Sequence, residues 1–231
     1  MWPSSKAVLT LERLDAALLN PIEESFSHTR AHHPGVLPCA QGCSSCCVSG
    51  FEITVLDLWR LGNGLLKLST EIRTQLEQRA QERLDQLHKM GEALTFPYDV
   101  RMLSRRGKHL LSQLIDSCAA LRNDGACQLY EARPRICRLQ GLSFVDPEGG
   151  LSLEDGCAEV FGDAPYAALP PQELALGEQW LQEQMVRFSC LDHLPLKLDS
   201  GYLTLVAGAI LFWRDAEAGI AEAHERLSFT L

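Results

Sequence analysis

Residues 38–47 read PCAQGCSSCC and place four cysteines close together: Cys39, Cys43, Cys46 and Cys47. A second group follows at Cys118, Cys127 and Cys137, with Cys157 twenty residues further on. Thiols at this density either pair as disulfides or hold a soft metal centre. Vicinal cysteines such as Cys46 and Cys47 rarely bond to each other, because the small ring that results strains the peptide. The two groups of four therefore favour a metal or iron–sulfur site built from all eight thiols.

The alternative is a disulfide framework, which requires an oxidising compartment. The first twenty residues mix charges into their apolar positions and contain no small-residue cleavage site, so they do not resemble a signal peptide. The longest apolar run, 203–213, is too short to cross a bilayer. We therefore expect a cytoplasmic protein with no membrane partner. Its reduced thiols would serve metal ligation rather than disulfides, core packing or redox reactivity.

The length of the chain sets the expected domain organisation. A chain of 231 residues that is 46% hydrophobic can bury a core without covalent cross-links. We expect a single domain over 1–231, with a cysteine-cluster core at 39–157 and a helical C-terminal extension at 158–231. The formal net charge of −9 argues against a nucleic-acid partner.

Positive charge is concentrated around the second cysteine group. Residues 101–140 hold eight Arg and Lys against three Asp and Glu, and four of the arginines lie near the cysteines: Arg122, Arg133, Arg135 and Arg138. Guanidinium groups lower the cost of clustered thiolates and favour their ionisation. The alternative is a solvated basic face that happens to adjoin the cluster.

Apolar spacing predicts a mainly α fold, with a helical scaffold around a loop-rich cysteine centre and at most a small β-hairpin. Asn20-Pro21 is predicted to end the first helix, and Gly62-Asn63-Gly64 is a candidate interruption of the third. The polar face of the clearest amphipathic helix, including Arg79 and Arg83, is interpreted as solvated. The predicted helices cover 5–19, 22–32, 51–68, 70–92, 171–188 and 201–224.

The cysteines themselves are predicted to lie in loops, where several thiols can converge. The span 118–157 is dominated by loop signals, and Asn123-Asp124-Gly125 is a turn that folds Cys118 back toward Cys127. The hairpin is predicted around 146–150, which reads DPEGG.

The two cysteine motifs together resemble a known family. Residues 127–138 read CQLYEARPRICR, which is similar to the C-x-x-Y-x-x-R-P-x-x-C-R signature of the CxxCxxCC proteins, also called the YkgJ-type cysteine-cluster family. Upstream, GCSSCC at 42–47 resembles the other hallmark of that family, although Cys39 lies four residues before Cys43, where the family more often has three. The resemblance covers about 39–157 and implies a zinc- or iron-chelating domain.

The residues of this signature can be given physical roles around a metal centre. Tyr130 can pack its ring against the site, and Pro134 fixes the backbone path between the two flanking cysteines. Arg133 and Arg138 can donate hydrogen bonds to thiolate sulfurs or to a carboxylate. The simpler interpretation, that Tyr130 and Pro134 only pack, still places both around the site.

The identity of the ligands does not determine which metal is bound, because all-thiolate sites suit zinc and iron–sulfur centres equally. Eight thiolates can hold two zinc ions, a 4Fe–4S cluster with a zinc ion, or a polynuclear centre bridged by thiolates. His32 is a substitute ligand if Cys39 is not one. Cys190 lies in an apolar stretch and is predicted to be a buried core residue.

The predicted function is metal binding, with the metal ion as partner and a protein as the other candidate partner. The competing hypothesis is a metal-dependent redox or group-transfer enzyme acting on a protein side chain, since the family it resembles includes a flagellin lysine N-methylase. No glycine-rich nucleotide loop or hydrolase motif identifies catalytic residues.

Overall fold

The structure is a computed structural model that describes residues 5–35, 37, 39–48, 50–113, 117–142 and 176–228. Cys157 and the hairpin predicted at 146–150 lie outside these residues. The described helices are α1 (Ser5–His32), α2 (Val55–Leu65), α3 (Thr70–Lys89), α4 (Arg105–Gln113), α5 (Arg135–Leu139), α6 (Leu176–Leu191) and α7 (Val206–Ser228). The strands are β1 (Ile53–Thr54) and β2 (Leu203–Thr204), and short 3₁₀ turns lie at Ser45–Val48, Val100–Met102 and Tyr130–Ala132.

The predicted fold class is confirmed, because helices dominate the described residues and the sheet among them has two short strands. β1 and β2 pair antiparallel, with Ile53 opposite Thr204 and Thr54 opposite Leu203. The pair does not close a local hairpin. It joins the segment that follows the first cysteine group to the start of the last helix.

α1 continues through Asn20-Pro21, so the predicted end of the first helix is wrong and the first two predicted helices are one. Proline inside a helix costs about 3 kcal/mol, since it lacks the N–H and its ring crowds the preceding turn. The buried stripe nevertheless continues past the proline, through Ile22 and Phe26. Burying each of these side chains stabilises the fold by roughly 1.5–3 kcal/mol, which offsets the cost of the proline.

α2 is the central helix and is buried along most of its length, including all residues from Val55 to Gly62. The predicted interruption at its two glycines does not occur. A Cβ at Gly62 would lie 2.2 Å from the Trp213 ring, and one at Gly64 would lie 2.4 Å from the Cβ of Ala132. The glycines therefore allow α7 and the second cysteine segment to approach α2 closely.

The C-terminal helices share this core. α7 contributes Ile210 and Phe212, and α6 contributes Val186 and Cys190, all almost completely buried. The prediction that Cys190 is a core residue is confirmed. None of the helices in the described ranges is both long and apolar enough to span a bilayer.

Candidate metal centre

The first cysteine group lies between α1 and β1 and is shaped by two turns. The N–H of Cys43 donates to the carbonyl of Ala40 at 3.0 Å, and the N–H of Cys47 donates to that of Ser44 at 2.9 Å. Gly42 permits the first turn, because its φ of +100° is a conformation that other residues rarely adopt. Turns rather than regular helix let the four thiols approach one region.

Cys118 and Cys127 flank a tight turn in the second group. The N–H of Gly125 donates to the carbonyl of Arg122 at 3.0 Å, and Leu121 and Cys127 form an antiparallel bridge. Gly125 has a φ of +81°. The predicted Asn-Asp-Gly turn is confirmed, and it brings the two cysteine positions back toward each other.

Backbone contacts join the two cysteine groups. The N–H of Cys118 donates to the carbonyl of Cys47 at 2.7 Å. A Cβ placed on Gly125 would lie 3.0 Å from the carbonyl oxygen of Gly42, so the turns of the two groups meet at their glycines. Segments that are far apart in sequence therefore form one structural unit.

Cys137 lies in α5, a five-residue helix that follows the buried Pro134. A helix this short has little stability of its own. The N–H of Arg135 donates to the carboxylate of Asp57 on α2 at 2.8 Å, and its guanidinium pairs with Glu183 on α6 at 2.9 Å. The start of α5 is thus held by helices outside the cysteine segments.

Two arginines of α3 bind the backbone around Cys118. Arg79 Nε donates to the carbonyl of Ala119 at 3.0 Å, and Arg83 Nη1 donates to that of Ser117 at 2.8 Å. Arg83 is only 6% exposed. The prediction of a solvated face is therefore wrong for these two residues, because helical periodicity does not distinguish a cation facing water from one facing carbonyl oxygens.

A cavity of about 420 Å³ lies where these segments meet α1. His32, the substitute ligand, is not among the residues that line it, and its Nδ1 lies 2.9 Å from the carbonyl of His28. None of the eight cysteines in the described ranges is joined in a disulfide. Seven of the eight predicted ligands line the cavity: Cys39, Cys43, Cys46, Cys47, Cys118, Cys127 and Cys137.

A second part of the cavity wall is polar and aromatic. The guanidinium carbon of Arg133 lies 4.1 Å from the ring centre of Tyr130. Glu23 on α1 accepts from Arg138 at 2.6 Å and from Arg133 at 3.4 Å, and Arg138 also donates to the carbonyl of Glu131 at 2.6 Å. Both arginines contact a carboxylate, which was one of the two options that the sequence left for them.

The contribution of α1 to the cavity was missed at the level of sequence. Glu23, Phe26 and Arg30 line it, and Arg30 donates a hydrogen bond to the carbonyl of Cys39. Their spacing of three and four residues places them on one helical face just before the first cysteine group. That spacing indicates from sequence alone that this face of α1 could lie beside the cysteines.

Burial raises the pKa of the Cys118 thiol to about 11 and holds the pKa values of Cys127 and Cys137 above their usual range. Cys46 behaves differently, since a hydrogen bond from Cys47 lowers its pKa to about 7. The same bond raises the pKa of Cys47. The Cys47 thiol therefore favours the thiolate form of Cys46, and a bound cation would displace the remaining protons.

The donor set fits a soft cation. Thiolate sulfur is the common ligand of structural zinc, at about 2.3 Å, and of iron–sulfur clusters. Among the described residues, no three His, Cys, Asp or Glu side chains already converge as a ligand set.

Comparison with known proteins agrees with this chemistry. The family model "CxxCxxCC: Putative zinc- or iron-chelating domain" matches residues 38–158, slightly more than half of the chain. The resemblance predicted from the two cysteine motifs is confirmed. No curated protein and no solved structure matches the chain.

Proposed function

Because the chain belongs to the CxxCxxCC family, we propose that it is a metal-binding protein that holds zinc or iron through cysteine thiolates. One observation carries this proposal: cysteines from two segments widely separated in sequence line a single cavity of about 420 Å³. Cysteine thiols that share one space and are not joined in disulfides are the donor set that a soft cation requires. Iron would be held as an iron–sulfur centre, with a 4Fe–4S cluster as one form.

The proposed ligands are the eight cysteines of the two groups. Cys157 is included on the sequence motif alone, because it lies outside the described residues. The vicinal pair Cys46 and Cys47 favours closely spaced metals, since adjacent side chains diverge and can reach neighbouring ions. The remaining proposed ligands are Cys39, Cys43, Cys118, Cys127 and Cys137.

The four signature residues are proposed to surround the centre without ligating it. Clustered thiolates carry more negative charge than the ions they bind, and the positive charge of Arg133 favours the thiolate forms of Cys46 and Cys127. The Tyr130 ring packs against the Arg133 guanidinium, and Pro134 and Arg138 hold the backbone that leads into α5. Such surrounding contacts orient ligands and tune the metal.

Metal analysis of anaerobically purified protein, combined with thiol titration, tests the proposal. We expect zinc or iron in stoichiometric amounts, with most of the nine cysteines protected from a thiol reagent until a chelator is added. Broad visible absorbance that bleaches with dithionite would identify an iron–sulfur centre, and a colourless protein with bound zinc would identify zinc. A metal-free protein whose cysteines are joined in disulfides would contradict the proposal.

A second candidate is a metal-dependent redox or group-transfer enzyme that acts on a protein side chain. The observation that favours it is the size of the cavity, which falls within the roughly 300–1,000 Å³ typical of small-molecule sites. Its polar wall, with Glu23, Arg30 and Arg133, could contact a substrate or an anionic cofactor. Titration of the metal-loaded protein with adenosylmethionine is the first test, and a colourless protein that does not bind it would argue against this candidate.

The proposed setting is the cytoplasm, where thiols remain reduced. The metal ion is the proposed partner, and the net charge of −9 is unfavourable for nucleic acid. Fractionation of cells that express the chain, with thiol trapping before lysis, would detect an oxidised pool if the compartment is wrong.

A further inference from the structure

Asp57 on α2 joins its own helix to the start of α5 through one buried carboxylate. Its Oδ2 accepts from the N–H and the hydroxyl of Thr54, each at 3.1 Å, which closes the N-terminus of α2. Its Oδ1 accepts from the N–H of Arg135 at 2.8 Å and also pairs with the Arg60 guanidinium. The residue is only 3% exposed.

The helix that Asp57 holds is short, and the hydrogen bonds at its two ends are long. In α5, the N–H of Arg138 reaches the carbonyl of Pro134 at 3.3 Å, and the N–H of Gln140 reaches that of Ile136 at 3.3 Å. Both distances lie beyond the usual range for a strong N–H to oxygen bond. A five-residue helix has little stability of its own, so external contacts contribute to its position.

We propose that Asp57 is a positioning residue for the metal centre, which fixes the first turn of α5 and through it the thiol of Cys137. This inference rests on the proposed function, since it names what places one of the ligands. Arg135 is held at both ends, by Asp57 at its main chain and by Glu183 at its guanidinium. Cys137, two residues further on, moves with that turn.

The structure supplies a matched control. Asp15 on α1 also pairs with Arg60, whose Nε lies 3.0 Å from Asp15 Oδ2, and Asp15 is likewise buried. Replacing Asp15 by Asn removes a buried charge from the same arginine without touching α5. Asp15→Asn therefore controls for damage to the ionic core. Asp57→Glu controls for the charge of Asp57, which itself raises the pKa of Cys137.

The experiment compares Asp57→Asn with Asp15→Asn in the full chain, under conditions where both are folded. Zinc affinity is measured by competition with a chromogenic chelator. Alkylation of Cys137 relative to Cys127 is measured in the metal-free protein by peptide mass spectrometry. For Asp57→Asn we expect zinc affinity to fall about 10- to 100-fold and Cys137 to react several-fold faster, relative to Cys127, than in the wild type. For Asp15→Asn we expect both readouts to stay within about threefold of wild type, because α5 keeps its contact with Asp57.

Asp57→Glu covers the case in which Asp57→Asn does not fold. It keeps the charge beside Arg60 but moves the carboxylate by one methylene, so a positioning role predicts the same loss and a purely electrostatic role predicts none. Equal effects of the Asp57 and Asp15 variants, or an unchanged Cys137 reactivity, would overturn the inference. If the wild type binds neither zinc nor iron, the proposed function fails, while the alkylation of metal-free protein still decides the role of Asp57.

Discussion

Substitution of Gly64 by alanine tests how closely the second cysteine segment must approach α2. The new Cβ would lie 2.4 Å from the Cβ of Ala132 and 3.2 Å from Leu129 Cδ2. Carbon atoms in contact are normally about 3.5–4.0 Å apart, so the segment that carries Ala132 has to move by roughly 1 Å. Overpacking of this kind costs about 1–3 kcal/mol, and replacing a helical glycine returns about 1 kcal/mol. Because both Cβ atoms are attached directly to backbone, we expect the overpacking cost to lie at the upper end of its range. The free energy of unfolding should then fall by about 2 kcal/mol net.

The same displacement should weaken metal binding, because Ala132 lies between Cys127 and Cys137. We expect a loss of zinc affinity of about tenfold or more, the size found when groups that orient ligands are disturbed. Urea unfolding of the metal-free protein measures the stability change, and chelator competition measures the affinity. Gly64→Ala with wild-type stability and wild-type affinity would refute the reasoning.

Two other glycines are controls for this experiment. A Cβ on Gly219 meets nothing within 4 Å, so Gly219→Ala should stabilise α7 by about 0.5–1 kcal/mol through helix propensity alone. Gly62→Ala forces a Cβ to 2.2 Å from the Trp213 ring, which donates to the carbonyl of Leu58 at 2.9 Å. That variant should lose stability without a matching loss of affinity in the folded protein.

Three further predictions concern the cysteines and the helix that binds the segment around Cys118. Cys46→Ser or Cys137→Ser should remove metal from both cysteine groups. Each variant should also make 35–60 and 115–142 sensitive to protease while most helical circular dichroism remains, and the control Cys190→Ala should leave metal content unchanged. Full retention of metal by the unmutated group would instead indicate two independent sites. Arg83→Met should lose its charged hydrogen bond to the Ser117 carbonyl, costing about 1.5–3 kcal/mol and speeding amide exchange around residue 118, and unchanged exchange would show that α3 does not anchor this segment. Burial raises the pKa of Cys190 to about 12, above the roughly 8.5 of an unfolded thiol, so its contribution to stability is complete below about pH 8.5 and is lost as the pH rises toward 12. The free energy of unfolding, measured with urea, should therefore fall more steeply between pH 9 and 12 for the wild type than for Cys190→Ala. Parallel curves of this free energy against pH would contradict the prediction.

Nearby residues in the sequence were sufficient to predict those elements whose conformation depends on sequence neighbours. The turn at 123–125 follows from a glycine with positive φ after Asn-Asp, and α3 follows from apolar residues at three- and four-residue spacing. The same local signals were misleading at Pro21, because the free energy that offsets the proline comes from the burial of Ile22 and Phe26 in the folded chain. They were also misleading at Gly62 and Gly64, where the reason for glycine is a neighbour far along the chain.

The sequence by itself determined the chemistry of this protein: which thiols are present, the two motifs that contain them, and the family to which the chain belongs. Ligand type depends on residue identity and spacing, both of which are written in the chain. Only the tertiary structure decided that seven of those thiols line one cavity, and that Asp57, Glu183 and the arginines of α3 hold the segments between them. Those contacts join residues dozens of positions apart, and a buried carboxylate or guanidinium does not indicate its partner until the helices have packed.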